Sequence, residues 1–211
     1  MKGVFVTGTD TGVGKTLVSA WLTAKWQADY WKPIQSGTVE GTDYDAVARL
    51  APGAVIHPPA IQLRAPLSPH EAARRERIRI DLSAIVLPAT NNALVVEGAG
   101  GVLVPINETA LMVDLIARLG LPVLVVARSG LGTINHTLMT LDVLRRRRLP
   151  VLGVVMNGQI NPANRQAIEH FGAVPVLAEL QPLLAVTAAV IDGLPGPTFT
   201  CPIVLPSRGA P

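Results

Sequence analysis

Lys15 and Thr16 stand at the end of a glycine-rich stretch whose residue types suit phosphate binding. The stretch occupies positions 8–14 and reads GTDTGVG. Glycines allow backbone N–H groups to turn inward around an anion, and the N-terminus of a following helix adds its positive dipole end. A lysine there contacts the outer phosphates, and the threonine hydroxyl binds the accompanying Mg2+. A surface turn that binds nothing is the alternative, but the apolar run at 3–6 and the helical pattern at 17–22 favour a phosphate-binding loop.

Glu97 is the best candidate for a carboxylate that completes a magnesium site. It follows the apolar run ALVV at 93–96 and precedes Gly-Ala-Gly-Gly, which lets a ligand approach the backbone closely. The alternative is an ordinary solvated residue at a strand end. Asp43 and Asp45 form a second pair of candidates, although from spacing alone either could cap the helix that begins there.

Lys32 is the second cation that could act on a phosphate. It lies between Trp31 and Pro33, at the end of a short extended segment, where packing does not require a lysine. The alternative is a surface lysine, but the chain has only four lysines and uses arginine as its usual surface cation. The four histidines are isolated and lack the spacing of metal ligands.

The elements that position these residues alternate between buried strands and helices of about ten residues. Apolar runs rich in Val, Leu and Ile predict strands, and amphipathic segments predict helices. This alternation indicates a mostly parallel sheet with helices on both faces, in which ligands bind beyond the carboxyl ends of the strands. The predicted strands are 3–6, 30–33, 61–63, 93–96, 122–127, 151–156 and 174–177. The predicted helices are 17–22, 42–50, 70–77, 81–87, 110–119, 133–148, 163–171 and 183–190.

Composition narrows the classes of protein that fit. The chain is 49% hydrophobic and 16% charged, which is typical of a globular protein, and no apolar run approaches the length of a membrane span. The start enters the first strand directly and leaves no room for a signal peptide. Cys201 is the only cysteine, which excludes an internal disulfide and favours a reducing, cytoplasmic setting.

The net charge of +3 rests largely on four arginines at 145–148. They end a predicted helix, where cations complement the helix dipole, and no basic cluster with interleaved aromatic residues accompanies them. We therefore expect a solvated helix end and no binding of nucleic acid or membrane. The segment 194–211 is rich in proline and predicts an irregular tail.

Several segments together resemble one family, dethiobiotin synthetase of biotin biosynthesis. They occur in family order over nearly the whole chain: VTGTDTGVGKT (6–16), KPIQSG (32–37), Asp45-Ala46, Ser68-Pro69-His70, VEGAGG (96–101), LGTINH (131–136) and Asn157. The resemblance implies one α/β domain over residues 1–211 with a single-domain P-loop NTPase-like fold. It also implies ATP and Mg2+ as cofactors and a homodimer.

The implied reaction converts 7,8-diaminononanoate, CO2 and ATP into dethiobiotin, ADP and phosphate. One amine captures CO2 as a carbamate, and a carbamate oxygen attacks the γ-phosphorus of ATP. The second amine then closes the resulting carbamic–phosphoric anhydride to a cyclic urea. Such chemistry needs charge neutralisation and in-line placement more than a protein nucleophile.

The resemblance also assigns roles to residues. The implied catalytic residues are Lys32 and Lys15, and the implied Mg2+ ligands are Thr16, Asp45 and Glu97, which selects Asp45 over Asp43. The nucleotide would be bound by Thr11, Gly12, Val13, Gly14, Lys15, Thr16, Leu17, Asp45, Glu97, Gly98, Ala99, Gly100, Asn157, Gly158, Gln181, Pro182 and Leu183. The substrate would be bound by Lys32, Ser36, Gly132, Thr133, Ile134 and Asn135. Residues 132–135 would come from the second subunit and would bind the carboxylate of the substrate.

Two other classes of protein share parts of this pattern. A ParA/MinD-like ATPase switch carries a lysine five places before the loop lysine, where this chain has Asp10. A glutamine-dependent amide ligase needs a Cys-His amidotransferase domain, and Cys201 in a proline-rich segment does not supply one. Both fit the sequence less well than dethiobiotin synthetase.

Overall fold

The computed structural model describes residues 2–39 and 41–202. The strands are β1 (Gly3–Gly8), β2 (Asp29–Trp31), β3 (Ile34–Ser36), β4 (Ile56–His57), β5 (Ile61–Leu63), β6 (Leu94–Gly101), β7 (Val123–Arg128), β8 (Val151–Asn157) and β9 (Val176–Leu180). The helices are α1 (Lys15–Trp26), α2 (Asp43–Leu50), α3 (Pro69–Glu76), α4 (Met112–Leu119), α5 (Thr133–Arg146), α6 (Pro162–Gly172) and α7 (Ala188–Gly193).

The described residues form a parallel sheet of seven strands in the order β4-β2-β6-β1-β7-β8-β9. β1 therefore lies at the centre, with β6 on one side and β7 on the other. The two short strands β3 and β5 pair separately, also in parallel. The predicted parallel α/β architecture is confirmed, and every loop that carries a candidate residue emerges from the carboxyl edge of the large sheet.

Helices cover both faces of the sheet because the apolar side chains of each strand alternate between them. In β1, Phe5 belongs to the apolar cluster that includes side chains of α4, α5 and α6, whereas Val4 and Val6 belong to the cluster that includes side chains of α1, α2 and α7. Both faces of the central strands are thus buried, which explains why their sequences are continuous apolar runs rather than alternating ones. Among the described residues no helix is long and apolar enough to cross a membrane.

Two predicted helices differ from the structure. The segment predicted at 81–87 contains only a 3-10 turn, Leu82–Ala84, whose start is capped by the Asp81 side chain accepting from the Ser83 N–H. The helix predicted at 183–190 begins later, at Ala188, because Thr187 supplies the cap by accepting from the Val190 N–H. Thr187, which was predicted inside the helix, therefore sets its boundary instead, whereas Asp81 is a cap as predicted but is followed by only one turn.

The strand β4 was not predicted, since its two residues lie within a proline-rich segment that suggested little regular structure. Residues 194–202 contain no helix or strand, and the rest of the predicted tail, 203–211, lies outside the described residues. The described part packs on the domain: the Trp21 indole donates to the Pro195 carbonyl at 2.9 Å, and the rings of Trp26 and Phe199 meet edge to face.

Candidate active site

The loop after β1 has the geometry of a phosphate-binding loop. Gly12 and Gly14 have φ angles of +73° and +98°, which glycine adopts without the steric cost of a side chain. α1 begins directly at Lys15, so the N-terminus of the helix faces the loop. The Lys15 Nζ donates to the carbonyl of Asp10 at 2.9 Å and thereby lies across the loop. Burial lowers the pKa of Lys15, and the attraction of Glu97 only partly offsets that effect.

Asn157, at the end of β8, supports the loop from the neighbouring strand end. Its Nδ2 donates to the Val13 carbonyl at 3.0 Å. A Cβ atom on Gly14 would lie 2.1 Å from the same Nδ2, so no larger residue fits between the loop and Asn157. The predicted base-binding residue therefore also fixes the shape of the phosphate-binding loop.

An ion-paired cluster lies beside the loop and joins three elements of the sheet edge. Lys32 follows β2, Glu97 lies in β6, and Asp43 is the first residue of α2. The Lys32 Nζ is 2.7 Å from Asp43 Oδ2 and 3.0 Å from Glu97 Oε1. The hydroxyl of Thr16 lies within hydrogen-bond distance of both acids, at 2.7 Å from Asp43 Oδ1 and 3.0 Å from Glu97 Oε1.

The charges of this cluster stabilise one another. Burial by itself would lower the pKa of Lys32, but the neighbouring carboxylates of Glu97 and Asp43 raise it above its ordinary value. Burial by itself would raise the pKa of Asp43, but the ammonium group of Lys32 lowers it. Lys32 is therefore a cation at neutral pH although its side chain is almost completely buried.

The structure places Asp43 in this cluster, whereas Asp45, which the resemblance selects as a Mg2+ ligand, lies outside it. Asp45 is exposed, its carboxylate accepts from the Thr42 hydroxyl at 2.6 Å, and its N–H donates back to the same hydroxyl. This reciprocal capping turns Asp45 along the start of α2 and away from Thr16. Asp43, two residues earlier, points to the loop, and the Gln35 side chain accepts from its N–H.

A cavity of about 660 Å3 opens over the loop and the cluster. Its lining includes most of the predicted phosphate-side residues together with Lys32 and Ser36, whose buried hydroxyl has no hydrogen-bond partner among the described residues. The full lining is Thr11, Gly12, Gly14, Lys15, Thr16, Lys32, Ser36, Asp43, Pro66, Leu67, Ser68, Pro69, Glu97, Ala99, Gly100 and Val104. The cavity thus has a cationic and acidic floor, and prolines and aliphatic side chains form part of its wall.

The oxygen atoms of this floor fit a hard divalent cation. Two carboxylates and one hydroxyl meet beside the phosphate-binding loop, and Mg2+ prefers one or two carboxylates together with phosphate oxygens and water. No group of three or more His, Cys, Asp or Glu side chains that could hold a metal by itself occurs in the part of the chain that the structure describes.

The predicted adenine-binding residues lie together at a different part of the edge. Asn157 ends β8 opposite Leu180 of β9, and the Gly158 N–H donates to the Leu180 carbonyl at 2.9 Å. Gln181 and Pro182 follow β9 directly and are exposed. None of these residues lines the cavity over the loop, although the Asn157 side chain contacts the loop at Val13.

The predicted carboxylate-binding residues, 132–135, also lie outside that cavity. They form the start of α5, where Gly132 has a φ of +89° and precedes the first helical turn. Leu131, immediately before them, is completely exposed. An apolar groove of about 500 Å3 runs beside this helix and includes Met139 and Leu103, which are each more than half exposed.

Tyr30 is a site residue that the sequence analysis missed. It lies in β2, and its hydroxyl donates to Glu97 Oε2 at 3.0 Å in fully buried surroundings. Strand periodicity could have found it, because Tyr30 and Lys32 are two residues apart and therefore lie on the same side of the chain. Burial first and the nearby Glu97 second raise the pKa of Tyr30 well above its ordinary value, so the hydroxyl remains a donor.

Comparison with known proteins shows the family to which the chain belongs. A sequence profile of the family described as AAA domain matches residues 2–190. The ATP-dependent dethiobiotin synthetase of Paramagnetospirillum magneticum is 76% identical over 96% of this chain and 98% of its own length. The chain belongs to the dethiobiotin synthetase family. The family member from Lawsonia intracellularis is 46% identical over 90% of this chain and 93% of its own.

A solved structure supports the fold independently. A ParA family ATPase from Chlorobium tepidum superposes with a TM-score of 0.57 over 91% of this chain and 92% of its own, at 14% identity. At that identity the likeness concerns the fold alone. It confirms the predicted P-loop NTPase-like architecture for this member of the dethiobiotin synthetase family.

Proposed function

We propose that this protein is an ATP- and Mg2+-dependent dethiobiotin synthetase that acts on 7,8-diaminononanoate and CO2. The observation that carries the proposal is the position of Lys32, a buried cation held between Asp43 and Glu97 at the floor of the cavity that also contains the phosphate-binding loop. A ParA/MinD-like switch would carry its second lysine inside the loop, where this chain has Asp10, whereas Lys32 comes from the end of a different strand. The high identity to a relative with this name supports the same conclusion.

The proposed reaction proceeds in three bond-forming steps. One amine of the substrate attacks CO2 and loses a proton, which gives a carbamate. A carbamate oxygen then attacks the γ-phosphorus and displaces ADP, which gives a carbamic–phosphoric anhydride. The second amine attacks the carbonyl carbon, loses a proton and expels phosphate, which closes the cyclic urea.

The two lysines have separate tasks in this proposal. Lys15 lies across the phosphate-binding loop and would contact the phosphates of ATP before and during transfer. Lys32 comes from the end of β2, beside the loop, and would stabilise the negative charge that gathers where carbamate and phosphorus meet. Because its ammonium group is already fixed by Asp43 and Glu97, little reorganisation is needed at the moment of reaction.

Thr16, Asp43 and Glu97 would hold the magnesium ion. A bound Mg2+ neutralises charge on the phosphates during transfer. In the nucleotide complex, the oxygen of the Thr16 hydroxyl would bind the ion through one lone pair. Its O–H would donate a hydrogen bond to a neighbouring carboxylate. Asp45 takes no part in this proposal, since its carboxylate is engaged with Thr42.

The remaining predicted residues surround the nucleotide and the substrate. Residues 11–17 and 97–100 would contact the phosphates, and Asn157, Gly158 and 181–183 would border the adenine. The unpartnered hydroxyl of Ser36 is available to accept from or donate to a substrate amine.

A homodimer would complete the site by bringing residues 132–135 of one subunit to the cavity of the other. Two observations support this arrangement: the start of α5 does not line the cavity of its own chain, and the surface beside it is apolar and exposed at Leu131, Met139 and Leu103. A helix N-terminus is suited to bind a carboxylate. The same proposal includes a cytoplasmic location, for which the lone Cys201 is the support.

The test is to incubate the protein with ATP, Mg2+ and bicarbonate, with and without the diamine, and to follow ADP release and dethiobiotin formation. We expect ADP release to depend on the diamine and to match the amount of dethiobiotin formed. Equal ADP release in both reactions, without dethiobiotin, would contradict the proposal and favour an ATPase switch.

A further inference from the structure

The carboxylate of Glu97 has two oxygen atoms with different surroundings. Oε1 lies on the side of the cavity, 3.0 Å from both Lys32 Nζ and Thr16 Oγ1. Oε2 lies on the opposite side and accepts a hydrogen bond of 3.0 Å from the hydroxyl of Tyr30. The two oxygens are therefore not interchangeable: one faces the phosphate-binding loop and the other is already bound inside the protein.

The partner of Oε2 is firmly placed. Tyr30 is completely buried, and it belongs to β2, which pairs with β6 on one side and β4 on the other. Its ring packs among the apolar side chains between the sheet and α1, including Val95 and Trp21. Rotation of the Glu97 carboxylate would break the Tyr30 hydrogen bond and leave a buried phenol without an acceptor, which costs free energy.

We propose that Tyr30 is a positioning residue that limits Glu97 to binding a divalent cation through Oε1 alone, and that it thereby favours Mg2+ over Ca2+. The inference rests on the proposed magnesium site of Thr16, Asp43 and Glu97. Mg2+ is small and octahedral and takes one oxygen from each carboxylate, whereas Ca2+ takes six to eight oxygens and often both oxygens of one carboxylate. Because Tyr30 holds Oε2, Glu97 can offer only Oε1 to a cation, which suits Mg2+ and not Ca2+.

The experiment compares the two metals on Tyr30→Phe. This variant keeps the ring and its packing and removes only the hydroxyl. Mg2+ and Ca2+ are titrated separately into the protein loaded with ADP and followed by calorimetry, with the same titrations of ADP alone subtracted. We expect the affinity for Mg2+ to fall about 10- to 100-fold, as is typical when a residue that orients a metal ligand is removed. We expect Ca2+ binding to weaken less or to improve, so that the ratio of the two affinities shifts toward Ca2+.

Two further variants separate positioning from a general effect on structure. Tyr44→Phe is the matched control, because Tyr44 lies in α2 next to Asp43 and its hydroxyl makes no hydrogen bond to another described residue. It should leave both affinities unchanged. In a Glu97→Gln background, Tyr30→Phe should no longer shift the ratio, because the two changes act through the same carboxylate.

Thermal unfolding without metal shows whether each variant is folded at the temperature of the titrations. An equal loss of affinity for both metals, or no change in either, would overturn the positioning role of Tyr30. Failure of the unaltered protein to bind Mg2+ with ADP would overturn the metal site as well. Dethiobiotin formation by the unaltered protein is measured separately, so that a wrong function and a wrong role for Tyr30 give different results.

Discussion

At the scale of single residues, Lys32 and Lys15 have different proposed roles, because each would stabilise a different state of the reaction. Lys15 belongs to the phosphate-binding loop, whereas Lys32 follows β2 and is held beside the loop by Asp43 and Glu97. A group that acts mainly on the transition state affects turnover and leaves binding in the ground state nearly unchanged.

We therefore expect Lys32→Ala to bind ATP with nearly unchanged affinity in calorimetry and to lose on the order of 100-fold or more in the rate of dethiobiotin formation, since one preorganised electrostatic donor is removed. Lys25→Ala, at the far end of α1, is the control and should keep its rate. A large loss of ATP affinity together with normal turnover at saturating ATP would show that Lys32 binds nucleotide and is not catalytic.

The acids at the start of α2 provide a second test at the residue scale. Asp43 contacts Thr16 and Lys32, whereas the carboxylate of Asp45 accepts a hydrogen bond from Thr42. Asp43→Asn should raise the Mg2+ concentration needed for half-maximal activity by about 10-fold or more, because even residues outside the first coordination shell have effects of that size. Asp45→Asn is the isosteric control and should change this concentration little. The reverse result would return the metal site to Asp45.

At the scale of elements, β2 connects the site to the opposite end of the sheet. Lys32 follows the last residue of this strand, and Asp29 is its first residue. Asp29 is buried, and its carboxylate accepts hydrogen bonds from the side chains of Thr90 and Asn92. Its Oδ2 also lies 2.8 Å from Nε2 of His57 in β4. Burial by itself would raise the pKa of Asp29, but the hydrogen bonds outweigh it and lower the pKa. These contacts tie the edge strand β4 to β2 and so help to fix the start of the strand that leads to Lys32.

When folding lowers the pKa of a carboxyl group, the ionised group stabilises the folded protein at any pH above the pKa that it has in the unfolded chain. This contribution is lost as the pH falls through the lower pKa that the group has in the folded protein. Asp29→Asn should therefore reduce the free energy of unfolding at pH 7 by about 1 to 3 kcal/mol, the size of a hydrogen bond to a charged group. The difference from the unaltered protein should shrink as the pH falls below about 4. Urea unfolding at several pH values measures both effects.

Asp142→Asn is the control for this series, because Asp142 forms an exposed ion pair with Arg146 within α5. It should change the free energy of unfolding by less than about 0.5 kcal/mol at every pH. A difference for Asp29→Asn that does not depend on pH would show that ionisation of Asp29 does not contribute to stability.

At the scale of the whole molecule, the proposed dimer makes the two sites interdependent. Lys32 would serve the site of its own chain, whereas Asn135, at the start of α5, would serve the site of the partner. Lys32→Ala and Asn135→Ala should each inactivate a homodimer. A mixed dimer of the two variants would contain one site with both defects and one site with neither.

Co-expression of the two variants should therefore restore about a quarter of the normal activity, since half of randomly assembled dimers are mixed and each has one intact site. The rate of dethiobiotin formation by the purified mixture measures this recovery, and each variant expressed alone is the control. A mixture as inactive as its components would contradict a site shared between subunits.

Much of the fold and part of the site follow from local patterns. The apolar runs at 93–96 and 122–127 predict buried parallel strands because both of their faces are covered, and the glycines before Lys15 predict a turn that only glycine adopts easily. Glu97 and Lys32 were identified because each directly follows an apolar strand, and strand ends meet at one edge of a parallel sheet. These inferences depend only on neighbours in sequence.

What tertiary structure alone decided is which atoms meet across that edge. Asp43 and Asp45 are two residues apart in one helix start, and only the approach of α2 to Thr16 selects Asp43, while Thr42 engages Asp45. Tyr30 is an ordinary strand residue until the pairing of β2 with β6 places its hydroxyl on Glu97. The sequence by itself therefore determined the elements and the chemistry of their ends, because those arise from local backbone preference and periodicity. The partners of each charged group were decided by packing, since contacts between residues far apart in sequence depend on how the elements lie against one another.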